Sequence, residues 1–160
     1  MRLIVGAIGK LKRGPEAELV ARYQKRAAQS GRPLGLSGPD IIELPESRAD
    51  TAALRKSDES QRLLQRLPDK ALILALDEGG KAISSRDFAS IVTKHLKDGR
   101  AGLALLIGGP DGHGDSVLER AAITLSFGKL TMPHQIVRIL IMEQLYRATT
   151  IAINHPYHRD

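Results

Sequence analysis

Cysteine and tryptophan are absent from this sequence of 160 residues, and aromatic residues make up only 3% of it. Without cysteine the chain has no disulfide framework, no thiolate metal site and no cysteine nucleophile, which fits a reducing compartment. The scarcity of aromatic residues means that the core must be aliphatic. With 42% hydrophobic and 26% charged residues, the composition is that of a globular chain and not of a disordered one.

Several familiar nucleotide-binding and hydrolase motifs are also missing. The first apolar run offers only Gly6 and Gly9 in place of a GxGxxG fingerprint, and no GK[ST] follows any glycine cluster. No Gly-x-Ser-x-Gly elbow is present. Of the five histidines only His155 and His158 are close in sequence, and no carboxylate or cysteine lies beside them at the spacing of a zinc site. The sequence therefore argues against dinucleotide, nucleoside triphosphate, covalent hydrolase and metal chemistry.

A nearly all-apolar stretch at residues 130–147 has the length of a membrane span. It contains Arg138 and Glu143, and ionisable side chains are costly in the bilayer core. We therefore expect a helix that is buried on every side or shared with a partner chain. A second apolar run, residues 3–8, is too short for a signal peptide and is followed, not preceded, by Lys10. No membrane partner and a cytoplasmic location are expected.

The length and the charge balance limit the organisation and the partners of the chain. A chain of 160 residues is expected to form one domain, over residues 1–160. Its formal net charge of +6 favours polyanionic partners such as nucleic acid. A merely basic protein has the same composition, so charge alone leaves the two alternatives open.

Short apolar runs alternate with amphipathic patterns along the chain. The apolar runs predict strands at residues 2–8, 40–44, 70–76 and 103–107. Amphipathic patterns predict helices at residues 14–29, 50–67 and 84–99, and the nearly all-apolar stretch predicts a helix at residues 133–147. Ser84 and Asp87 form a capping-box pattern, and Pro133 suits a helix start. Five strands or near-strands alternating with helices predict an α/β fold with a parallel sheet.

Two predicted strands run into loops at residues 76–80 and 108–112. Ligands bind at the carboxyl ends of parallel strands, where such loops emerge. Gly108 and Gly109 permit close approach of a flat ligand to the backbone, although a tight strand-to-helix turn would need the same glycines. A third loop, residues 125–132, mixes small, apolar and hydroxyl side chains. The three loops together predict a pocket for an adenosine-like ligand.

Two further segments carry titratable side chains. His134 is either a first-turn residue of the last helix or a polar group at the mouth of a ligand site. The tail at residues 155–160 contains Tyr157, which can stack on a base, His158, which can exchange a proton, and Arg159, which can bind phosphate. A tyrosine can equally dock a tail onto the body of a protein. Chemistry alone leaves these alternatives open.

Three separated motifs occur in order: LIGGPDG, LSFGKLTMPHQIVRILIMEQLYRA and NHPYHRD. Their combination resembles the bacterial 23S ribosomal RNA pseudouridine N3-methyltransferases of the SPOUT class, the RlmH type, over essentially the full chain. The resemblance implies an α/β SPOUT methyltransferase fold with a C-terminal trefoil knot, the knot and dimer interface lying at about residues 100–160. It also implies a homodimer that transfers a methyl group from S-adenosylmethionine to N3 of a 23S rRNA pseudouridine in the assembled 70S ribosome.

The resemblance also assigns roles to particular residues. The cofactor is expected against Leu76, Gly108, Gly109, Phe127, Gly128, Lys129, Leu130, Thr131 and Met132. The helix after Pro133 is expected to be the knotted and dimer-forming element. Candidate catalytic residues are His158, His134 and Arg159, with a histidine accepting or relaying the N3 proton. Candidate substrate-binding residues are Arg138, Arg147, Tyr157, His158 and Arg159.

Two features keep other interpretations open. Residues 127–129 and His113 are less usual at their positions in the family's pattern. A non-catalytic RNA- or ribosome-binding factor on the same fold is the alternative function, and it would not bind S-adenosylmethionine. A site that uses residues from both chains is a further expectation, because the tail follows the expected interface helix.

Overall fold

The computed structural model describes residues 1–159; Asp160, the last residue of the expected domain and of the tail motif, lies outside the described residues. Its strands are β1 (Arg2–Ile8), β2 (Ser37–Leu44), β3 (Leu72–Lys81), β4 (Gly102–Ile107) and β5 (Ile123–Leu125). Its helices are α1 (Pro15–Gly31), α2 (Ala52–Leu64), α3 (Ser85–Lys97), α4 (Asp115–Arg120) and α5 (His134–Ala152).

The strands form one five-stranded sheet in the order β2-β1-β4-β3-β5, with every neighbouring pair parallel. Parallel strands covered by helices on both faces read as continuous apolar runs, which is why β1 and β4 have almost no polar side chains. The predicted parallel α/β sheet is confirmed.

Alternate residues of each strand face opposite layers of helices. Leu3 and Val5 of β1 belong to the core that includes α1, α3 and α5. Ile4 belongs to the core on the other face, which Val117 of α4 and residues at the end of α2 complete. The two layers therefore hold α1, α3 and α5 on one face and α2 and α4 on the other.

The observed elements differ from the predicted ones mainly at their ends. Strand β2 begins at Ser37, ahead of the predicted residue 40, because residue 37 pairs with Arg2 across the sheet. Strand β3 continues past Leu76 to Lys81, where it pairs again with β5. Helix α4 and strand β5 have six and three residues. Elements of that length are too short for a periodic pattern to be recognised in the sequence.

The predicted start of helix α3 is confirmed in detail. Ser84 Oγ accepts a hydrogen bond from the Asp87 backbone N–H over 3.1 Å, and the Ser84 N–H donates to Asp87 Oδ2 over 3.2 Å. The hydrogen bond from the Ser84 side chain holds the pKa of Asp87 below its usual value. At the start of α5, by contrast, Pro133 is the residue before the helix and not its first residue.

Helix α5 packs against α1 and α3 along one face only. Ile141, Met142 and Leu145 on that face are each about 1% exposed, whereas Ile136 on the other side is 40% exposed. The expectation that the chain buries this helix on every side is therefore wrong for the chain by itself. Among residues 1–159, no helix is both long enough and apolar enough to cross a membrane.

Arg138 is a charged residue on the buried face of α5. Its side chain forms an ion pair with Glu43 of β2, and its Nη2 donates to the carbonyl oxygens of Ile8 over 3.1 Å and Gly9 over 2.6 Å. Because the residue is only 5% exposed, these contacts replace the water that its charge would otherwise bind. Arg138 thus joins α5 to the carboxyl ends of β1 and β2.

We predict that Arg138→Met lowers the free energy of unfolding by about 3 kcal/mol, because it leaves the half-buried Glu43 carboxylate without its partner. Arg2→Met is the matched control, since Arg2 forms an exposed ion pair with Asp40, and such pairs contribute at most about 1 kcal/mol. Urea unfolding of both variants measures the difference. Equal losses would contradict a special role for Arg138.

Candidate functional site

A cavity of about 330 Å³ lies at the carboxyl ends of β3, β4 and β5. This is the edge of a parallel sheet where ligands bind, and the volume is at the lower end of the range for ligand pockets. Helix α5 closes one side with the residues of its first turn. The lining residues are Leu76, Asp77, Glu78, Ile107, Gly108, Gly109, Pro110, Asp111, Gly112, Leu125, Ser126, Phe127, Gly128, Leu130, Met132, His134 and Val137.

The glycine-rich wall of the cavity is a tight turn immediately after β4. The Gly112 N–H donates to the Gly109 carbonyl over 2.9 Å, with Pro110 and Asp111 between them. Gly112 has a φ of +86°, which disfavours any other residue there. A Cβ on Gly109 would lie 2.6 Å from Glu59 Oε2, closer than packing permits. The tight turn, one of the two alternatives for these glycines, is therefore present and lines the cavity, and the ligand site stays a prediction.

Helix α2 holds this turn from behind. Arg55 Nε donates to Asp111 Oδ2 over 2.7 Å, and this hydrogen bond holds the pKa of Asp111 below its usual value. One turn further along α2, Glu59 is 3% exposed and its Oε1 accepts from the Ser47 N–H over 2.8 Å. Ser60 Oγ accepts from the Gly114 N–H over 2.8 Å. Three side chains of one helix thus fix the position of the cavity wall.

The opposite wall is the loop that follows β5. Ser126 Oγ accepts from the Gly128 N–H over 3.1 Å and donates to the Gly128 carbonyl over 2.9 Å, which closes the loop on itself. The Ser126 N–H donates to the Lys81 carbonyl over 3.0 Å and attaches the loop to the end of β3. Phe127 and Leu130 are 37% and 79% exposed, so this wall presents apolar side chains to solvent.

The rim of the cavity is acidic. Asp77 and Glu78 follow the paired part of β3, and Asp77 Oδ1 accepts from the Gly79 N–H over 2.9 Å. Asp111 adds a third carboxylate, which is neutralised by Arg55. Within residues 1–159, no group of three or more histidine, cysteine, aspartate and glutamate side chains is arranged to hold a metal ion. The uncompensated carboxylates suit a positively charged part of a ligand.

His113 lies directly behind the cavity and is 4% exposed. Its Nε2 lies 3.1 Å from the Leu106 carbonyl oxygen, a distance that makes the ring nitrogen a donor. Burial lowers the pKa of His113, so the imidazole is neutral at neutral pH. A histidine that departs from the family's usual pattern is thus part of the packing between β4 and the cavity wall.

Most of the expected cofactor residues come together in this cavity. Seven of the nine line it: Leu76, Gly108, Gly109, Phe127, Gly128, Leu130 and Met132. Lys129 and Thr131 belong to the same loop but do not line the cavity. His134, expected at a ligand mouth, lines the cavity from the first turn of α5.

Sequence reasoning did not assign the acidic rim or the supports behind the cavity. Asp77 and Glu78 were recognised only as part of a loop at a strand end. Two acidic residues directly after an apolar strand were the sequence feature that could have predicted the acidic rim. No sequence feature indicates the supporting role of Arg55, Glu59 and Ser60, because they lie about fifty residues before the turn that they contact. Contacts between distant segments are visible only in the folded chain.

The predicted tail residues lie elsewhere, against the carboxyl-terminal half of α5. Tyr157 packs on Tyr146 with ring centroids 4.6 Å apart, and its hydroxyl donates to Glu143 Oε1 over 3.0 Å. The guanidinium of Arg147 lies 4.8 Å from the Tyr157 ring centroid, and its Nη1 lies 3.3 Å from His158 Nδ1. Burial raises the pKa of Tyr157 well above its usual range. Within this chain, Tyr157 docks the tail onto the body of the protein.

The two predicted substrate-binding arginines of α5 have different surroundings. Arg147 forms an ion pair with Glu143, which raises the pKa of Arg147, and remains about a quarter exposed beside the tail. Arg138 is buried and engaged by Glu43, so the expected contact between Arg138 and RNA does not agree with its position. Arg159 is exposed at the end of the tail.

The cavity lies at the first turn of α5, whereas the tail docks on the helix from its middle onward. Tyr157 contacts Glu143, nine residues and roughly 14 Å along α5 from His134. His134 and Arg147 are thirteen residues apart on a helix that rises 1.5 Å per residue, which is a separation of roughly 20 Å. None of the tail residues within the described chain lines the cavity. One chain therefore does not bring its own tail to its own cavity in this structure.

Comparison with known proteins identifies the family. A family model described as "Predicted SPOUT methyltransferase" matches residues 1–158. The chain belongs to the SPOUT methyltransferase family. "Ribosomal RNA large subunit methyltransferase H" of Brucella anthropi is 51% identical over 160 residues, covering the whole of both chains. Proteins with the same name from Brucella ovis and Brucella abortus are each 49% identical over the full length of both chains.

A solved structure agrees with this assignment at the level of the fold. The crystal structure of a probable methyltransferase from Bordetella pertussis Tohama I matches with a TM-score of 0.50, covering 92% of this SPOUT chain and 93% of that one. At 15% sequence identity the likeness concerns the fold alone. The expected α/β SPOUT fold is confirmed, and the trefoil knot stays a prediction.

We predict that His113 makes the stability of this SPOUT chain depend on pH. Its folded pKa lies below the ordinary value of 6.5, so the unfolded chain takes up a proton first as the pH falls. The stabilisation is complete above pH 6.5 and is lost as the pH falls through the folded pKa. Thermal unfolding between pH 8 and pH 5 is therefore expected to show a steeper loss for the parent than for His113→Gln, which keeps a donor but does not titrate.

His155→Gln serves as the matched control, because His155 is an exposed histidine of the tail. Parallel curves of melting temperature against pH for the parent and His113→Gln would contradict the prediction.

Proposed function

We propose that the chain transfers a methyl group from S-adenosylmethionine to N3 of a pseudouridine in 23S ribosomal RNA. The substrate would be the assembled ribosome in the cytoplasm. The observation that carries the proposal is the cavity with its glycine wall and acidic rim. It lies in a SPOUT chain whose sequence is about half identical, over its full length, to proteins named ribosomal RNA large subunit methyltransferase H.

The residues of the cavity fit the proposed cofactor. Gly108 and Gly109 leave backbone groups open to a flat adenine ring, and Leu76 and Met132 supply aliphatic walls. Asp77 and its neighbour Glu78 would face the positive sulfonium and ammonium groups, which carboxylates stabilise electrostatically. The cofactor supplies a methyl group on a positively charged sulfur.

The chain's own residues would align the base and remove its proton. Methyl transfer is an in-line displacement, so alignment of N3 and exclusion of water are the main requirements. His134 lines the cavity and is the candidate there for accepting or relaying the N3 proton. His158 is the second candidate, and it would act from the tail. Arg147, Tyr157 and Arg159 would bind the flipped nucleotide and its phosphates.

A homodimer would bring the tail and the cavity together. Since roughly 14 to 20 Å of α5 separates His134 from the tail contacts at Glu143 and Arg147 within one chain, the tail at each cavity would come from the partner subunit. The side of α5 not packed on α1 and α3 offers the apolar surface for this contact, with Ile136 40% exposed and Leu130 79% exposed beside the cavity. The C-terminal knot and the single domain over residues 1–160 complete the proposal.

We predict that the parent chain binds S-adenosylmethionine and methylates ribosomes, and that Gly109→Ala lowers the affinity for the cofactor at least tenfold, about 1.4 kcal/mol. The added Cβ would lie 2.6 Å from Glu59 Oε2 and 3.1 Å from Ile8 Cγ2, so either the buried Glu59 side chain behind the turn or the turn itself must shift. Titration calorimetry measures the affinity, and mass spectrometry of digested 23S rRNA detects N3-methylpseudouridine.

Gly102→Ala is the matched control, because Gly102 is at the amino end of β4 and its added Cβ would make only ordinary contacts, the nearest at 3.5 Å from the Arg2 carbonyl oxygen. Thermal unfolding checks that both variants fold. A parent chain that binds ribosomes but no S-adenosylmethionine would favour the non-catalytic RNA- or ribosome-binding factor.

We predict that two inactive variants restore activity when mixed. Gly109→Ala damages the cavity, and the double variant His158→Ala, Arg159→Ala damages the tail, so a mixed dimer has one site with both parts intact. Random exchange gives about a quarter of the parent activity, because half of the dimers are mixed and each has one intact site. Methylation of ribosomes by mixtures refolded together measures the rescue.

The tail variant by itself is expected to bind S-adenosylmethionine as the parent does and to methylate poorly. Absence of rescue, with both variants dimeric, would show that each site is made within one subunit.

A further inference from the structure

We infer that the loop of Lys10, Leu11, Lys12 and Arg13, which we name the basic loop, contacts the phosphate backbone of the RNA beside the cavity. This inference rests on the proposed function and adds an RNA-contacting surface to it. The loop follows β1 directly and places three cations within four residues. All three are exposed, whereas Leu11 is half-buried and packs against the core.

The basic loop is held in place at its beginning. The Leu11 N–H donates to Glu43 Oε1 over 2.8 Å, and the Gly9 carbonyl accepts from Arg138 over 2.6 Å. The Gly9 N–H donates to the Leu44 carbonyl over 2.7 Å. A fixed loop loses less conformational entropy when its cations bind a phosphate than a free loop does.

The position of the basic loop brings it next to the cavity. Strand β1 pairs with β4, with Ala7 opposite Ile107, so the ends of both strands lie at the same edge of the sheet. Ile8 Cγ2 is 3.1 Å from the point where a Cβ on Gly109 would stand. The loop begins two residues after Ile8, and four residues span at most about 14 Å. The phosphates next to a nucleotide in the cavity would therefore lie within reach of the loop.

The charges at this edge explain why such a loop is needed. The acidic rim of Asp77 and Glu78 suits a cationic cofactor but repels RNA phosphates. Among residues 1–159, none of the three loop cations forms an ion pair with a carboxylate. Two acids, Glu16 and Glu46, lie beside the glycines at the two ends of the loop, so a positive excess remains. An exposed positive excess beside the proposed nucleotide site is the electrostatic footprint of a nucleic-acid contact.

The test compares two triple variants with the same loss of charge. One is Lys10→Ser, Lys12→Ser, Arg13→Ser in the basic loop. The control is Arg66→Ser, Lys97→Ser, Arg100→Ser, which removes three exposed cations from the ends of α2 and α3 and the turn before β4, at the amino edge of the sheet. Binding of full-length protein to ribosomes is measured from 50 to 200 mM salt, and S-adenosylmethionine binding is measured by calorimetry.

The loop variant is expected to bind ribosomes about tenfold or more weakly, with the slope of log affinity against log salt smaller by about two. Its affinity for S-adenosylmethionine and its methylation rate at saturating ribosomes are expected to remain those of the parent. The control is expected to keep the parent slope. Equal slopes for the two variants would overturn the inference. Weaker ribosome binding by the loop variant with an unchanged slope would also overturn it, because it would indicate a contact with protein.

These outcomes separate the inference from the proposed function. A parent that binds ribosomes with a loop-dependent slope but transfers no methyl group would overturn the proposed function and support the RNA contact. A parent that methylates ribosomes, with a slope unaffected by the loop variant, would overturn the RNA contact alone.

Discussion

The ion pair between Arg138 and Glu43 joins the last helix to the carboxyl edge of the sheet, and the positions of α5 and of the start of the basic loop depend on that attachment. From this point α5 runs one way to His134 at the cavity and the other way to the docked tail. The same two side chains hold Gly9 and Leu11, where the basic loop begins. Arg138, which the resemblance predicted to bind RNA, instead holds in place the surfaces that would contact RNA.

A second constraint acts on the cavity itself. The turn after β4 carries glycines because Glu59 leaves no room for a Cβ at Gly109 and because Gly112 adopts a positive φ. Three polar side chains of α2 then hold the turn from behind, among them Arg55 on Asp111. The wall is therefore preorganised before any ligand binds, which spares a ligand the cost of ordering it. Backbone groups of the turn can therefore contribute to ligand specificity, because the side chains of α2 determine their positions.

Much of the site was predictable from the sequence, and the remainder was not, for a physical reason. A glycine pair after an apolar strand, and a loop before Pro133, predicted the cavity walls because strand ends in a parallel sheet lie at one edge. Lys129 and Thr131 were assigned by their place in a loop, where only the backbone conformation decides which side chains face inward. Arg138 was assigned to RNA because a sequence does not reveal that Glu43 lies beside it, although ninety-five residues separate them.

The sequence by itself determined the alternation of strands and helices, the parallel sheet, the capping box at Ser84 and the family, because these depend on local patterns and on motifs in order. Only the tertiary structure decided which of the expected residues meet. It placed the tail on Glu143 and Arg147, roughly 14 and 20 Å along α5 from His134, and it brought α2 behind a turn fifty residues later. Contacts of that kind arise from how helices pack on the sheet, which no short segment of the chain encodes alone.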